Sequence, residues 1–185
     1  MLIVREGWGE RLQKIGERNF RGVFRDYALS RRLVGVIQAF AFGGFPIAPF
    51  PKARILCTED DSDTRAFVKY VLGGEGYEVV TAEHGAEALR LAQTQSFDLF
   101  LVDSWLPGMS GDELTQKIRE FNSTTPILFY TGAAHDSDKE SARASGAQGY
   151  LVKPSGVDEL IHEVARLIAE AKIAFPVKVI HATRS

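Results

Sequence analysis

The feature that most constrains this chain is a fivefold alternation of short apolar segments with amphipathic stretches, beginning near residue 54. The short segments are rich in β-branched and aromatic residues and are predicted to be strands. They lie at Arg54–Thr58, Tyr77–Thr81, Asp98–Asp103, Pro126–Thr131 and Gln148–Lys153. The amphipathic stretches, predicted to be helices, lie at about Asp63–Gly73, Ala86–Gln95, Gly111–Phe121, Asp136–Ser145 and Val157–Lys172. This alternation predicts an α/β fold, in which a doubly wound, five-stranded parallel sheet is covered by helices on both faces.

Residues at the ends of these segments support the assignment. Ser110 and Glu113 have the spacing of a capping box at the start of the third helix. Gly146 is suited to end the fourth helix, and either Asp61 or Ser62 is suited to cap the first. The two glycines at 73–74 are interpreted as a helix end followed by a turn.

The chain begins with an extension whose composition differs from the rest. The residues up to Arg54 include ten Lys or Arg and four Asp or Glu, a net charge of +6, whereas the remainder includes twelve and twenty, or −8. Three prolines within residues 46–51 favour an extended connection at this point. We therefore predict a basic, apolar and poorly ordered or loosely docked extension at 1–52, a globular domain at 53–172 and a C-terminal tail at 173–185.

Two segments of the extension have specific interpretations. Apolar residues recur at helical spacing within residues 20–27, with arginines between them, which predicts a short basic amphipathic helix. Residues 33–50 are almost entirely apolar. A transmembrane helix needs about 20 apolar residues, however, and Pro46 and Pro49 would end a helix here before that length. Three alternatives stay open for the extension: contact of residues 33–50 with a membrane or a protein, removal as a leader, and accessory binding of nucleic acid without a recognisable DNA-binding motif.

Polar side chains that could take part in binding or catalysis follow four of the predicted strands. They are Glu59, Asp60 and Asp61, then Asp103, Thr131 and Lys153. Taken singly, each is also compatible with a helix cap, a turn or an ordinary strand end. Because the ligands of parallel α/β sheets bind at the carboxyl ends of the strands, however, we expect these residues to converge at one edge.

Such a cluster is suited to the transfer of a phosphoryl group. Neighbouring carboxylates raise one another's pKa unless a cation offsets their charge, and acidic oxygens with room for water are typical ligands of Mg²⁺. A lysine and a hydroxyl at the same place would neutralise and orient a phosphoryl group. A carboxylate can itself be the nucleophile, and the product is then an aspartyl phosphate.

Residues 54–170 resemble the receiver domain of bacterial two-component response regulators. Four segments carry the resemblance, in order and at the family's spacing. They are ILCTEDD at 55–61, FDLFLVDSWLPGMSG at 97–111, PILFYTG at 126–132 and GAQGYLVKP at 146–154. The resemblance implies a flavodoxin-like (βα)5 fold with strand order 2-1-3-4-5.

The resemblance also implies a role for each matching residue near the cation. Asp103 matches the phosphoacceptor and, together with Glu59 and Asp60, would hold Mg²⁺. Asp60 matches the acidic residue that binds Mg²⁺ directly, and Glu59 its neighbour, which commonly acts through metal-bound water. Trp105 would offer only its backbone carbonyl to the metal.

Further matches concern the phosphoryl group and the response to it. Thr131 matches the hydroxyl that hydrogen-bonds the phosphoryl group, and Lys153 matches the cation that pairs with it. Tyr150 matches the aromatic switch residue, which turns inward when the threonine is drawn to the phosphate. The resemblance further implies a cis peptide bond between Lys153 and Pro154.

Some positions depart from the commonest family pattern. Glu59 stands where Asp is more frequent, which lengthens the reach of the carboxylate by one methylene. Trp105 is bulky, and Ala133 has no polar group to hold an attacking water, so we expect the acyl phosphate to hydrolyse slowly without a phosphatase. Gly132 leaves an open path beside the site for a partner's phosphohistidine.

The leading interpretation is a phosphoacceptor module that is not an enzyme. It would take a phosphoryl group from a histidine kinase or a histidine phosphotransfer protein, and it would then switch contacts with a downstream protein on the face formed by helix 4, strand 5 and helix 5. About a dozen residues follow the fifth helix, so we expect a stand-alone receiver without an output domain. The single cysteine, Cys57, is expected to be a buried residue of a protein in a reducing compartment, the cytoplasm.

Two other classes of function fit these residues less well. Phosphatases with an aspartyl phosphate intermediate typically have a second Asp two residues after the nucleophile, where this chain has Trp105. A flavin-binding protein of the same fold class would favour a hydroxyl-rich loop after the first strand, whereas Glu59, Asp60 and Asp61 repel a phosphate.

Overall fold

The computed structural model describes residues 51–175, which form a five-stranded sheet and five helices. The strands are β1 (Arg54–Thr58), β2 (Glu78–Ala82), β3 (Leu99–Val102), β4 (Ile127–Thr131) and β5 (Gly149–Val152). The helices are α1 (Ser62–Gly74), α2 (Gly85–Thr94), α3 (Gly111–Arg119), α4 (Asp136–Ser145) and α5 (Val157–Ala174). Strands and helices alternate strictly along this part of the chain, which confirms the predicted α/β class.

The sheet is parallel and has the strand order β2-β1-β3-β4-β5, which confirms the flavodoxin-like topology. Strand β1 pairs with β2 from Arg54↔Glu78 to Thr58↔Ala82, and with β3 from Ile55↔Leu99 to Thr58↔Val102. The order reverses its direction next to β1. In such sheets the crevice at this reversal, at the carboxyl ends of the strands, is the usual place for a ligand.

Each face of the sheet has its own hydrophobic core. Alternate side chains of a strand point to opposite faces, so Ile55 and Cys57 belong to the core that includes residues of α1 and α5, whereas Leu56 belongs to the core that includes residues of α2, α3 and α4. Cys57 is buried as expected, and its burial raises the pKa of the thiol to about 12. This thiol therefore stays protonated and behaves as an apolar core group.

Three helix caps lie at predicted positions, and one of them decides between Asp61 and Ser62. The carboxylate of Asp61 accepts a hydrogen bond from the backbone N–H of Thr64 at 2.7 Å and caps α1. Ser110 caps α3 by accepting from the N–H of Glu113 at 3.1 Å. Gly146 ends α4 with φ +110°, in the left-handed region that favours glycine.

The end of α1 differs from the prediction. The helix continues through Gly74 to a cap at Glu75, and the left-handed residue is Gly76, with φ +89°. The N–H of Tyr77 bonds to the carbonyl of Leu72 at 3.1 Å, so Tyr77 belongs to the turn that closes the helix. For this reason β2 begins one residue later than predicted, at Glu78.

Two arginines connect the loops at the amino ends of the strands. Arg54 donates to the carbonyl of Ser96 at 3.1 Å and forms an ion pair with Glu78 at 2.9 Å. Arg119 joins the end of α3 to the segments before β4 and β5. Its guanidinium donates to the carbonyls of Asn122, Thr125 and Gly146 and to the side chain of Gln148, at 2.8–3.0 Å.

Several predictions concern residues outside the described range. The helix at 20–27, the nature of the apolar segment at 33–50 and most of the tail belong to this group. Within residues 51–175, no helix has both the length and the apolar character that crossing a membrane requires.

Candidate functional site

The candidate site lies where β1, β3, β4 and β5 end. Backbone hydrogen bonds continue the sheet into these ends: the N–H of Glu59 bonds to the carbonyl of Ala82 at 3.0 Å, and that of Asp103 to the carbonyl of Thr58 at 3.0 Å. The backbone at Glu59 and Asp103 is therefore fixed by the sheet. Both side chains are buried, with 4% and 5% of the residue exposed.

Three carboxylates converge at this edge. One oxygen each of Glu59, Asp60 and Asp103 lies within 4.8 Å of the others, and Asp60 is exposed where its two partners are buried. Asp61 is outside the group because its carboxylate caps α1. The sequence predicted that all four carboxylates converge, with a helix cap as the alternative for Asp61; the first three lie together, and Asp61 is the cap.

Lys153 connects two of these carboxylates. Its ammonium group donates to Asp103 Oδ1 at 3.0 Å and to Glu59 Oε2, and it lies 5.3 Å from the centre of the Tyr130 ring. The N–H of Lys153 bonds to the carbonyl of Thr131 at 2.7 Å, so the sheet also fixes its backbone. The peptide bond from Lys153 to Pro154 is cis.

The charges at the site are only partly balanced. Burial raises the pKa of Glu59 above its ordinary value, although the hydrogen bond and the charge of Lys153 act in the opposite direction. Burial by itself lowers the pKa of Lys153, but the hydrogen bond to Glu59 and the charges of Asp103 and Glu59 outweigh it, and the pKa is raised. Lys153 is therefore charged at neutral pH, and one ammonium faces three acidic groups.

These residues fit a divalent cation. Clustered carboxylate oxygens, two buried and one open to water, are the donors that Mg²⁺ uses when it keeps part of its hydration shell. Burial disfavours the ionised form of Glu59 and raises its pKa, so additional positive charge nearby would stabilise that form. A cation between Glu59, Asp60 and Asp103 would supply that charge.

The carboxylate of Asp103 is held at both oxygens. Oδ1 accepts from Lys153, and Oδ2 accepts from the backbone N–H of Trp105 at 2.8 Å. The side chain of Trp105 is 72% exposed beside the site. The contribution of its backbone carbonyl to a metal stays a prediction.

Thr131 and Tyr150 meet at a single residue of the β4–α4 loop. The buried hydroxyl of Thr131 accepts from the N–H of Ala133 at 3.3 Å, and the phenol of Tyr150 donates to the carbonyl of Ala133 at 2.9 Å. The Tyr150 ring stacks on Phe129, with 5.9 Å between centroids and 7° between planes. Ala133 therefore connects the candidate phosphoryl-binding hydroxyl to the candidate switch residue.

Sequence reasoning missed Arg65 of α1. Its Nη1 donates to the carbonyls of Glu59 and Asp60, each at 2.6 Å, and Nη2 lies 3.4 Å from Glu83 Oε2. The available signal was its position four residues after Asp61, because helical spacing returns such a side chain to the loop before the helix.

Comparison with known proteins identifies the family. A family model described as the response regulator receiver domain matches residues 55–165. The cell cycle transcriptional regulator CtrA of Caulobacter vibrioides is 34% identical over 119 residues, which are 64% of this chain and 52% of CtrA. This chain thus spans about half the length of that relative, and the regulation of transcription is a property of the relative.

Solved structures agree with this result. A CheY-like response regulator receiver domain protein from Methanospirillum hungatei JF-1 has a TM-score of 0.64 and 30% identity, over 66% of this chain and 98% of its own. The receiver domain of the sensor histidine kinase PA1611 from Pseudomonas aeruginosa PAO1 has a TM-score of 0.60 and 31% identity, over 63% and 98%. That structure has a magnesium ion coordinated in its active site cleft.

Proposed function

Because residues 55–165 make this chain a member of the response regulator receiver domain family, we propose that it accepts a phosphoryl group on Asp103 in a two-component pathway. The donor would be the phosphohistidine of a histidine kinase or of a histidine phosphotransfer protein. The chain would act as a cytoplasmic signalling phosphoacceptor and not as an enzyme with its own substrate. Its target would be a protein bound on the face of α4, β5 and α5.

One observation carries the proposal: Asp103 lies in a cluster that can hold a cation, and its carboxylate is oriented from both oxygens. Lys153 and the N–H of Trp105 fix the rotation of the carboxylate. Glu59 and Asp60 lie close enough to share a cation with it. A preorganised nucleophile next to positive charge is what phosphoryl transfer requires, since its catalysis is mostly positioning and neutralisation.

In the proposed reaction, a carboxylate oxygen of Asp103 forms a bond to phosphorus while the phosphorus–nitrogen bond of the donor breaks. The electron pair leaves with the donor's imidazole, which takes up a proton from water. Lys153 stays paired with the new group, and Glu59, Asp60 and Asp103 would hold Mg²⁺. The bound ion would neutralise charge on the phosphoryl oxygens.

The response would pass through Ala133. When the hydroxyl of Thr131 turns to donate to a phosphoryl oxygen, the N–H of Ala133 loses the acceptor that it has in this structure. The loop before α4 must then rearrange, and the carbonyl that holds Tyr150 moves with it. We propose that Tyr150 turns inward in this step and changes the surface of α4, β5 and α5.

The phosphoryl group is expected to persist. The N–H of Trp105 occupies one oxygen of Asp103, and Ala133 offers no side-chain group that could hold an attacking water. Slow hydrolysis means that a phosphatase or transfer back to the donor would end the signal. A half-life of seconds for the isolated phosphorylated protein would contradict this part of the proposal.

The test is an intact-mass measurement after incubation with phosphoramidate or acetyl phosphate, with Mg²⁺ or with EDTA. The wild type is expected to gain one phosphate only with Mg²⁺, and Asp103→Asn is expected to gain none. Asp63→Asn is the matched control, because Asp63 is an exposed carboxylate in the first turn of α1 that takes no part in the cluster. A gain in Asp103→Asn equal to that of the wild type, or no gain in the wild type with either donor, would refute the proposal.

A further inference from the structure

Arg65 makes an unusual contact with the loop that carries two of the acidic residues. One guanidinium nitrogen, Nη1, donates to the carbonyls of the consecutive residues Glu59 and Asp60, both at 2.6 Å. The side chain of Arg65 is 18% exposed, and its bond to the carbonyl of Glu59 is partly buried, whereas the bond to Asp60 is open to water. Two short bonds from one rigid, planar group fix the orientation of both carbonyls.

The orientation of these carbonyls determines where the carboxylates point. The N–H of Glu59 bonds to the carbonyl of Ala82, and the guanidinium holds the carbonyls of Glu59 and Asp60, so the peptide planes on both sides of each residue are held. Because two fixed planes restrain the φ and ψ angles of the residue between them, they also restrain the directions in which the side chains of Glu59 and Asp60 leave the backbone. Glu59 and Asp60 are two members of the three-carboxylate cluster. Arg65 itself contacts backbone oxygens of the loop, and these bonds leave both carboxylates available.

The charge of Arg65 cannot explain a favourable effect on a bound cation. A guanidinium near a divalent cation repels it, so charge alone would make cation binding weaker in the presence of Arg65. If Arg65 assists binding, it must do so through the geometry of the loop. Removing the charge should therefore lower the Kd for the cation if repulsion dominates, and raise it if Arg65 positions the loop.

We propose that Arg65 is a positioning residue, which holds the loop after β1 so that Glu59 and Asp60 converge with Asp103 on a divalent cation. The inference rests on the proposed function in that the cation is the one used in phosphoryl transfer. It adds a specific role for a residue that touches neither the cation nor the phosphoryl group. Partners that orient metal ligands in this way commonly change affinity 10- to 100-fold, by order of magnitude.

The experiment compares Mg²⁺ binding by Arg65→Gln, Lys69→Gln and the wild type, from backbone amide shifts in NMR titrations of the full chain. Arg65→Gln is expected to raise the Kd for Mg²⁺ by about 10-fold, although it removes a repelling charge. Lys69 is exposed and one turn further along α1, so Lys69→Gln removes the same charge as a control. Its Kd is expected to stay within about twofold of the wild type, since exposed charges are screened.

A Kd of Arg65→Gln equal to or below that of the wild type would overturn the proposal. If Arg65→Gln does not give a folded spectrum, Arg65→Lys takes its place, because it keeps the charge and loses the planar group. A raised Kd then supports the proposal, and an unchanged Kd overturns it. Phosphorylation at saturating Mg²⁺ should proceed in the folded variant at nearly the wild-type rate, whereas a uniformly lower rate with unchanged Kd would indicate a different role.

The binding measurement does not depend on phosphate uptake. If the wild type binds Mg²⁺ and Arg65→Gln binds it more weakly, the positioning role is supported even when no phosphoryl transfer occurs. If the wild type takes up phosphate on Asp103 and the Kd of Arg65→Gln is unchanged, only the positioning role fails.

Discussion

Replacing Lys153 by methionine tests how much the ammonium group of Lys153 contributes to the free energy of unfolding by offsetting the buried carboxylates. Lys153 donates to Asp103 Oδ1 at 3.0 Å and to Glu59, and both carboxylates are at least nine-tenths buried. Methionine has a similar length and no charge. In Lys153→Met the two carboxylates would face each other, with Asp60 beside them, and the charge of Lys153 would no longer offset them.

The expected loss of unfolding free energy in Lys153→Met depends on the burial of this ion pair. Two unit charges at 3.0 Å attract by about 5 kcal/mol at an effective dielectric constant of about 20. Part of this attraction offsets the desolvation of both groups, and breaking a buried pair by removing one partner typically costs about 3–5 kcal/mol. We therefore expect Lys153→Met to lose about 3 kcal/mol of unfolding free energy at neutral pH without Mg²⁺.

The chain contains a matched control. Lys139 pairs with Asp136 at the same distance, 3.0 Å, but the Asp136 side chain is 99% exposed. Exposed pairs contribute at most about 1 kcal/mol, so Lys139→Met should change the unfolding free energy by less than that. The contrast between the two variants measures the effect of burial at equal distance.

The assay is urea unfolding at about pH 7.5 and at about pH 5, with EDTA or with saturating MgCl₂. The pKa of Glu59 is already raised, so its folded state binds a proton more readily than the unfolded chain, and its unfavourable contribution appears as pH rises through that pKa. The deficit of Lys153→Met should therefore be smaller at the lower pH. Mg²⁺ should stabilise the variant more than the wild type, because it would supply the missing charge. A variant as stable as the wild type without Mg²⁺, or a deficit equal at both pH values, would refute the reasoning.

Three further predictions concern the frame around the site. Gly111→Ala should lose about 1–3 kcal/mol of unfolding free energy in urea, because the added Cβ would lie 2.4 Å from the carbonyl oxygen of Asp103. At Gly132 an added Cβ would meet no such neighbour within 4 Å, so Gly132→Ala should change the unfolding free energy by less than about 1 kcal/mol. Equal losses in the two variants would contradict this prediction. Arg119→Met should lose at least about 2 kcal/mol, because it removes the guanidinium that donates to three loop carbonyls, and an unfolding midpoint equal to that of the wild type would count against that role. Asp61→Ala should lose about 1 kcal/mol at neutral pH through the missing cap. Hydrogen bonds from the side chain and the backbone N–H of Thr64 lower the pKa of Asp61, so this difference should vanish as pH falls through that pKa. A loss of stability that persists in acid would contradict this prediction.

The elements of the fold were predictable because their signals are local. Periodicity and end residues placed every strand and helix of residues 54–174 within about two residues, which is the usual uncertainty at element ends. The difference at β2 has a physical cause: the sequence pattern extends the strand to Tyr77, but the N–H of Tyr77 closes the turn after α1. The strand order followed from the family resemblance, since local patterns do not specify which strands become neighbours.

The site was predictable in its membership and less so in its contacts. Parallel topology alone brings residues at strand ends to one edge, and Glu59, Asp60 and Asp103 do lie together there. No sequence pattern reveals that the ammonium of Lys153 lies against Glu59 as well as Asp103, or that Arg65 bonds to two carbonyls. These contacts join residues through specific rotamers, and periodicity contains no information about them.

The residues at the amino ends of the strands stabilise the fold, whereas those at the carboxyl ends form the candidate site. At the amino ends of the strands, Arg54 and Arg119 donate to loop carbonyls and side chains, so the polar groups there are paired and hold adjacent segments together. At the carboxyl ends, the acidic groups exceed the single ammonium of Lys153, and burial raises the pKa of Glu59. An acidic cluster of this kind destabilises the fold when it is ionised, and it can persist only where the rest of the domain is stable without it. The arginines at the opposite edge supply part of that stability at a distance from the reacting groups. Substitutions at the acidic carboxyl ends can therefore alter cation binding while the domain stays folded. Substitutions of Arg54 or Arg119 are expected to lower the stability of the fold.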